Sequence, residues 1–239
     1  MKKIALAILM AFGINSAYAE APKPLLWKVS DANNSLYLLG SFHMLKTTDY
    51  PLAKSTDAAF NDAEQLYFEI SAEEMNNPAL GEKMAKAGAR TDGKTLQQSL
   101  SEKTWSQFEA FAKERKMPVA GFQQFEPWFV TLILATTEMQ RMGLNPQLGL
   151  DMYFMNRAAK AGKPIKGLET GDSQIAIFDN MTIKQQEEQL QDTLDESSNL
   201  KKELEEIHAI WRKGDDKTLF KKLGSKRKKN TQSFIKVLI

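Results

Sequence analysis

The sequence predicts an α/β protein: a mixed, partly parallel sheet flanked by helices, with a helical insertion. Three observations carry this expectation. Leu36 to His43, Leu-Tyr-Leu-Leu-Gly-Ser-Phe-His, is a short apolar run that stops at Gly40 and delivers His43 three residues later. Buried strands read as apolar runs of about 4 to 8 residues, and a glycine at the end lets the backbone turn or lie close to a ligand. Two later runs, Leu66-Tyr67-Phe68-Glu69-Ile70 and Lys163-Pro164-Ile165-Lys166-Gly167-Leu168-Glu169, follow helical segments, and each brings a glutamate to its end or near it. Between them, Glu73 to Gly121 is mostly helical in pattern, which gives the insertion.

In chain order, Leu25 to Val29 reads as the first strand. Ser30-Asp31-Ala32-Asn33-Asn34-Ser35 is dense in turn formers before Leu36 resumes the apolar pattern, so the pair is a hairpin. Pro51 to Gln65 suits one short helix, with Ser55, Thr56 and Asp57 as N-cap candidates. Strand, helix and strand in this order predict a βαβ unit with parallel strands, which puts Glu69 near the rim that carries His43.

The insertion, about 73–141, breaks at Gly88 to Gly93, and Thr104 to Lys116 carries Trp105, Phe108 and Phe111 at helical spacing. Glu126-Pro127-Trp128 opens an apolar helix through Arg141, with Pro127 suited to its first turn. Thr131, Thr136, Thr137 and Glu138 interrupt that helix, which makes it a buried helix rather than a membrane span. Gly143 to Gly149 is a loop, and Leu150 to Ala161 a helix that Gly162 ends. The third strand follows, finishing at Glu169. From Thr182 the chain is charged and helical, with Leu200, Leu204, Ile207 and Trp211 in one stripe, and Gly214-Asp215-Asp216 starts a last helix.

With 239 residues, 42% of them hydrophobic and 26% charged, the chain has the composition of an ordinary globular protein and the mass for one substantial core. Its N-terminus has the pattern of an export signal over residues 1–19: Lys2 and Lys3, an apolar centre from Ile4 to Ile14, and the small-x-small site Ala17-Tyr18-Ala19. That apolar run is too short to span a bilayer comfortably. The expectation is a periplasmic protein in a two-membrane bacterium, with no stable membrane span after cleavage. The absence of cysteine excludes disulfides, thiolate metal sites and a cysteine nucleophile. Of 32 Lys and Arg, cleavage removes two, leaving 30 to face 30 Asp and Glu. Such a neutral chain is not a nucleic-acid binder driven by bulk charge.

His43, Glu69 and Glu169 are three candidate metal ligands, each at a predicted strand end where open α/β sheets collect ligands. Imidazole and carboxylate suit divalent ions, and a metal with an open position makes a nucleophile of its bound water. A free glutamate beside that water, Glu69 or Glu169, can take its proton. The residue types leave a second reading open, in which His43 is a satisfied rim histidine and both glutamates are solvated. Ser41 is too close in sequence to His43 to settle a triad, and no G-x-S-x-G elbow, His-Glu-x-x-His helix or G-x-G-x-x-G turn accompanies it. His208 reads as a histidine flanking the Leu204, Ile207, Trp211 stripe. The cluster Lys221, Lys222, Lys226, Arg227, Lys228 and Lys229 reads as a solvated helix end rather than a contact for anionic lipid or polymer.

Taken together these stretches resemble the TraB/GumN family, related to the TIKI and pheromone-shutdown proteins. The motifs concerned are Leu26-Trp27-Lys28-Val29, Leu38-Leu39-Gly40-Ser41-Phe42-His43, the Glu69 strand, Pro127-Trp128, Gly149-Leu150-Asp151, Gly162 to Thr170 with Gln174, and Trp211 with Gly214-Asp215. They cover residues 20–223. The resemblance implies an α/β fold and a metal-dependent, peptidase-like site, an activity described for the TIKI branch. Gly40 to His43 matches the family's first G-x-x-H, with Ser41 inside it; Glu69 and Glu169 match its glutamates, and Gln174 supports the motif. A second G-x-x-H, usual in a C-terminal strand, is not encoded here, and His208 cannot supply it because Glu205 stands where glycine is needed.

From about Leu223 the sequence departs from the family pattern, so that 224–239 reads as a divergent tail, basic and then apolar over Phe234 to Ile239. The expectation from that departure is a truncated or frameshifted end, with one strand and one metal ligand fewer and an incomplete active centre. Two functions therefore compete: metal-assisted hydrolysis of a peptide bond, and non-catalytic binding of a peptide, a metal or another small ligand in the same cleft.

Overall fold

The computed structural model describes residues 21–195 and 197–227. Residues 1–19, where an export signal is expected, and residues 228–239 of the tail lie outside the described residues. Helices dominate, and short strands sit among them in two ladders. Strands β1 (Leu26–Ser30) and β2 (Ser35–Leu39) form the expected antiparallel hairpin, with Leu26 opposite Leu39 and Ser30 opposite Ser35. The Asp31 carboxylate fastens its turn, accepting the amides of Asn33 at 2.9 Å and Asn34 at 2.7 Å. Strands β3 (Leu66–Phe68) and β4 (Ile165–Gly167) pair in parallel, from Leu66 opposite Ile165 to Phe68 opposite Gly167.

The mixed α/β class therefore holds, but the pairing differs from the βαβ expectation. β3 is hydrogen-bonded to β4, and among the described residues no ladder joins β2 to β3. The reason lies just beyond β2. After Gly40 the chain turns away to pair with the loop before a later helix: Leu45 bridges Asn145, and the Leu150 amide donates to Phe42 at 2.9 Å. Helix α1 (Lys54–Asp62) also starts earlier than its polar residues suggest, with Ala53 at the N-cap. Thr56 is buried instead, and Asp57 accepts from Arg157 at 2.6 Å.

Short helices α2 (Ala72–Met75), α3 (Pro78–Ala87) and α4 (Leu96–Ser99) lead to α5 (Glu102–Arg115), which Ser101 caps by accepting the Thr104 amide and which buries Trp105, Phe108 and Phe111. Helix α6 (Pro127–Arg141) opens on its proline, and α7 (Leu150–Ala161) ends at Gly162 in the left-handed region, φ 66°. Helices α8 (Gly171–Asp179), α9 (Ile183–Asp195), α10 (Ser197–Lys213) and α11 (Asp216–Arg227) complete the chain described.

Two large apolar clusters organise these elements. One gathers Leu25, Phe42, Leu45, Phe60, Leu150, Phe154, Ile207, Trp211 and Leu219, which joins the base of the hairpin to α1, α7, α10 and α11. The other gathers Trp105, Phe108, Phe111, Phe122, Val130 and Leu134 with Leu190 and Leu194. The second core is thus closed by α9, a helix from outside the 73–141 segment. Leu204, Ile207 and Trp211 are buried as the stripe requires; the Leu200 side chain lies outside the described residues.

Candidate functional site

The site begins where the hairpin hands over to α7. A Cβ built on Gly149 would stand 2.1 Å from the His43 carbonyl oxygen, so this backbone approach requires glycine. Together with the bond from Leu150 to Phe42, it sets the first turn of α7 against His43. Asp151 lies in that turn, where the helix N-terminus favours a carboxylate. One Asp151 oxygen, Oδ2, accepts from Ser41 Oγ at 2.6 Å and faces His43 Nδ1 at 2.5 Å. An ionised Asp151 fixes the proton on Nδ1 and leaves Nε2 as the outward nitrogen. Nε2 faces Glu69 Oε2 at 4.0 Å.

The β3–β4 ladder supplies the carboxylates. Beyond the strands the pairing continues, with the Leu168 amide donating to Phe68 at 2.9 Å and the Glu169 amide to Glu69 at 2.7 Å, so the two glutamates emerge side by side. A Cβ on Gly167 would meet the Ser71 amide nitrogen at 2.6 Å, which marks how closely the chain after β3 crosses β4. From the first turn of α8, Gln174 Nε2 donates to Glu69 Oε2 at 3.1 Å and stands 3.5 Å from Glu169 Oε2. Lys163, just before β4, donates to the carbonyls of Phe60 at 2.6 Å, of Asn61 at 3.1 Å and of Ala63, which ties the end of α1 to the ladder.

The structure places the candidate residues in two linked groups. Gly40 closes the hairpin by donating to Leu25 at 2.8 Å and accepting Trp211 Nε1 at 3.0 Å, Ser41 holds Asp151, His43 faces Glu69, and Gln174 stands between Glu69 and Glu169. Asp151 was not among the candidates. It lies 108 positions from His43, and its sequence signal is its place in the Gly149-Leu150-Asp151 motif of the family resemblance, at a helix start.

Asp151 and His43 shift each other's titration. Burial opposes the imidazolium, but the hydrogen bond and charge of Asp151, with a contribution from Glu69, carry the His43 pKa above its ordinary value. Burial likewise pushes Asp151 up, and His43 and Ser41 outweigh it, holding the carboxyl below its usual range. Among the described residues no group of three or more His, Cys, Asp or Glu is gathered tightly enough to hold a metal ion. The donor chemistry nevertheless fits a divalent cation: an imidazole oriented through its other nitrogen by a carboxylate, and two partly solvated glutamates.

Two further polar sites bear on function. Asp49 is fully buried; its Oδ2 meets His208 Nε2 at 2.9 Å and accepts the Lys46 amide at 2.8 Å, while Oδ1 accepts from Arg212. His208 thus fastens α10 to the segment before α1. Gly88-Ala89-Arg90-Thr91-Asp92-Gly93-Lys94-Thr95 matches the residue spacing of a phosphate-binding loop. It follows helix α3 rather than a strand, however, and the amides of three of its residues are already engaged: Arg90 with Gln124, Lys94 with Asp92, and Thr95 with Gln98.

Fold and site together define a helix-rich α/β protein in which a histidine meets carboxylates at the end of a parallel strand pair. The chain belongs to the TraB/PrgY/gumN family, whose model matches residues 25–239. It is similar to the uncharacterized protein YbaP of Escherichia coli (strain K12), with 23% identity over 146 residues, 61% of this chain and 52% of that protein. The match to YbaP of Shigella flexneri has the same identity and extent, 23% over 146 residues. The matched region spans about half the length of these curated relatives. No solved structure matches.

Proposed function

We propose that the protein is an exported hydrolase that cleaves a peptide bond with the help of a divalent cation, acting in the periplasm of a two-membrane bacterium. The observation that carries this reading is the orientation of His43: Asp151 takes Nδ1 at 2.5 Å, and Nε2 is left facing Glu69. His43, Glu69 and Glu169 would hold the cation. A divalent cation bound there lowers the pKa of a coordinated water and polarises a carbonyl. Gln174 steadies the two glutamates from one side, which keeps their carboxylates turned toward the cleft. Glu69, its side chain 46% exposed, is open to solvent and can receive a proton from water or pass one to a leaving amine. Asp151 keeps negative charge behind the imidazole and fixes its tautomer.

The test joins metal analysis of the purified protein to peptide cleavage by the wild type and by His43→Ala. A stoichiometric divalent metal and cleavage lost in His43→Ala are expected. Cleavage unchanged by that substitution overturns the proposed site. Metal-free, inactive protein that still binds peptide supports the competing role, a binding protein that uses the same cleft.

A further inference from the structure

We infer that Tyr50 is a positioning residue for the histidine site: its hydroxyl fixes the turn from which α7 starts, and through that turn it sets Asp151 against the His43 imidazole. The inference rests on the reading of His43 as the site's histidine. Tyr50 Oη donates to the Leu148 carbonyl at 2.6 Å, across 98 positions of chain. That carbonyl belongs to the peptide joining Leu148 to Gly149, a rigid plane, so holding its oxygen also fixes the direction in which the chain enters Gly149.

Gly149 is the N-cap of α7 and lies against the His43 carbonyl, and Asp151 follows within the first turn. Main-chain bonds grip the two ends of this turn, Asn145 with Leu45 before it and Leu150 with Phe42 after it. Tyr50 supplies the bond between them. Its ring gives a second hold on the same helix, with its centroid 4.7 Å from that of Tyr153.

A group that positions others must itself be anchored. Tyr50 follows Asp49, which is fully buried, accepts from Arg212 and from the Lys46 amide, and meets His208. Helix α10 thus holds one side of the Asp49-Tyr50 pair, and Tyr50 carries that hold across to α7. Burial, with contributions from Tyr153, Asp49 and Asp151, pushes the phenol pKa far up, so Tyr50 remains a donor throughout the neutral range. The ring packs against the first apolar cluster, where phenylalanine would fill the same space. Packing therefore accounts for the ring, and the hold on Leu148 accounts for the hydroxyl.

Tyr50→Phe keeps the ring and removes that hydroxyl. The experiment compares it with wild type and with Tyr153→Phe, which loses the neighbouring hydroxyl and leaves the Leu148 carbonyl bonded. The first readout is the NMR signal of the His43 side chain, one of two histidines in the chain, assigned by its loss in His43→Ala. Tyr50→Phe should displace or broaden that signal with the far-UV circular dichroism unchanged, and Tyr153→Phe should leave it at the wild-type position. The second readout is cleavage of the internally quenched peptide that the wild type cuts fastest. In Tyr50→Phe kcat should fall about tenfold with KM little changed, because a fraction of an ångström at the reacting groups costs rate rather than binding. A His43 signal unchanged in Tyr50→Phe overturns the inference, and so does an equal displacement in Tyr153→Phe. A wild type that cleaves no peptide overturns the hydrolase reading instead, and the His43 signal, which needs no activity, still decides the role of Tyr50.

Discussion

Asp151 receives Ser41 and His43 on the same oxygen, so a change at Asp151 touches both contacts and a change at Ser41 only one. Replacing Asp151 with Asn leaves a similar shape but removes the charge. We expect a loss of about 1.5–3 kcal/mol in urea unfolding for Asp151→Asn and of about 0.5–1.5 kcal/mol for Ser41→Ala. Equal losses would mean that the histidine is not paired as described. The second buried carboxylate gives a pH prediction. Burial pushes Asp49 up, but His208, the Lys46 amide and Arg212 hold its pKa below the usual value. With the folded pKa below the unfolded one, the stabilisation is present above roughly pH 4 and is lost as the pH falls through the folded value. Asp49→Asn should therefore lower Tm most at neutral pH, with the gap to wild type closing in acid. A gap of constant size would argue against an ionised Asp49. Asp49 could not be read from the sequence, because it meets its histidine across more than a hundred residues and nothing local distinguishes it from a solvated acid, and Asp151 showed only as part of the Gly149-Leu150-Asp151 motif, with no sign of its equally distant partner.

At the level of elements, the site depends on how closely α7 approaches the segment after β2. Gly149 has φ −56°, which any residue can adopt, so its requirement is spatial rather than conformational. In Gly149→Ala the new methyl group meets the His43 carbonyl, and the helix or the histidine must move. A loss of about 1–3 kcal/mol is expected, together with a changed His43 side-chain NMR signal even at temperatures where the variant is fully folded. An unchanged signal would show that α7 does not position His43. The elements themselves were largely legible: the hairpin from its turn formers, α6 from Pro127, α7 from Gly162, and both glutamate strands from their apolar runs. What escaped was pairing. Whether Leu66–Phe68 joins β2 or β4 depends on where Phe42 and Leu45 find partners, and those partners, Leu150 and Asn145, lie far along the chain. Short strands with three residues in a ladder carry too little pattern to choose.

Across the whole molecule the two large clusters divide the labour. The first holds the cleft: Phe42 precedes His43, Leu150 precedes Asp151, and Trp211 both fills this core and donates to Gly40. The second holds α5, α6 and α9 together and contains no cleft residue. Removing a large, fully buried side chain from either should cost about 3–5 kcal/mol, but the consequences should differ. Phe108→Ala should weaken amide-exchange protection chiefly in α5, α6 and α9 and leave the hairpin and α7 close to wild type, because local opening follows contiguous packing. Trp211→Ala should do the reverse and also free the Gly40 carbonyl, loosening the turn from which His43 departs. Hydrogen exchange read by mass spectrometry on both variants decides the matter. Uniform loss of protection in each would show one cooperative core, and the helical segment would then be part of the framework that sets the cleft rather than a separate layer over it.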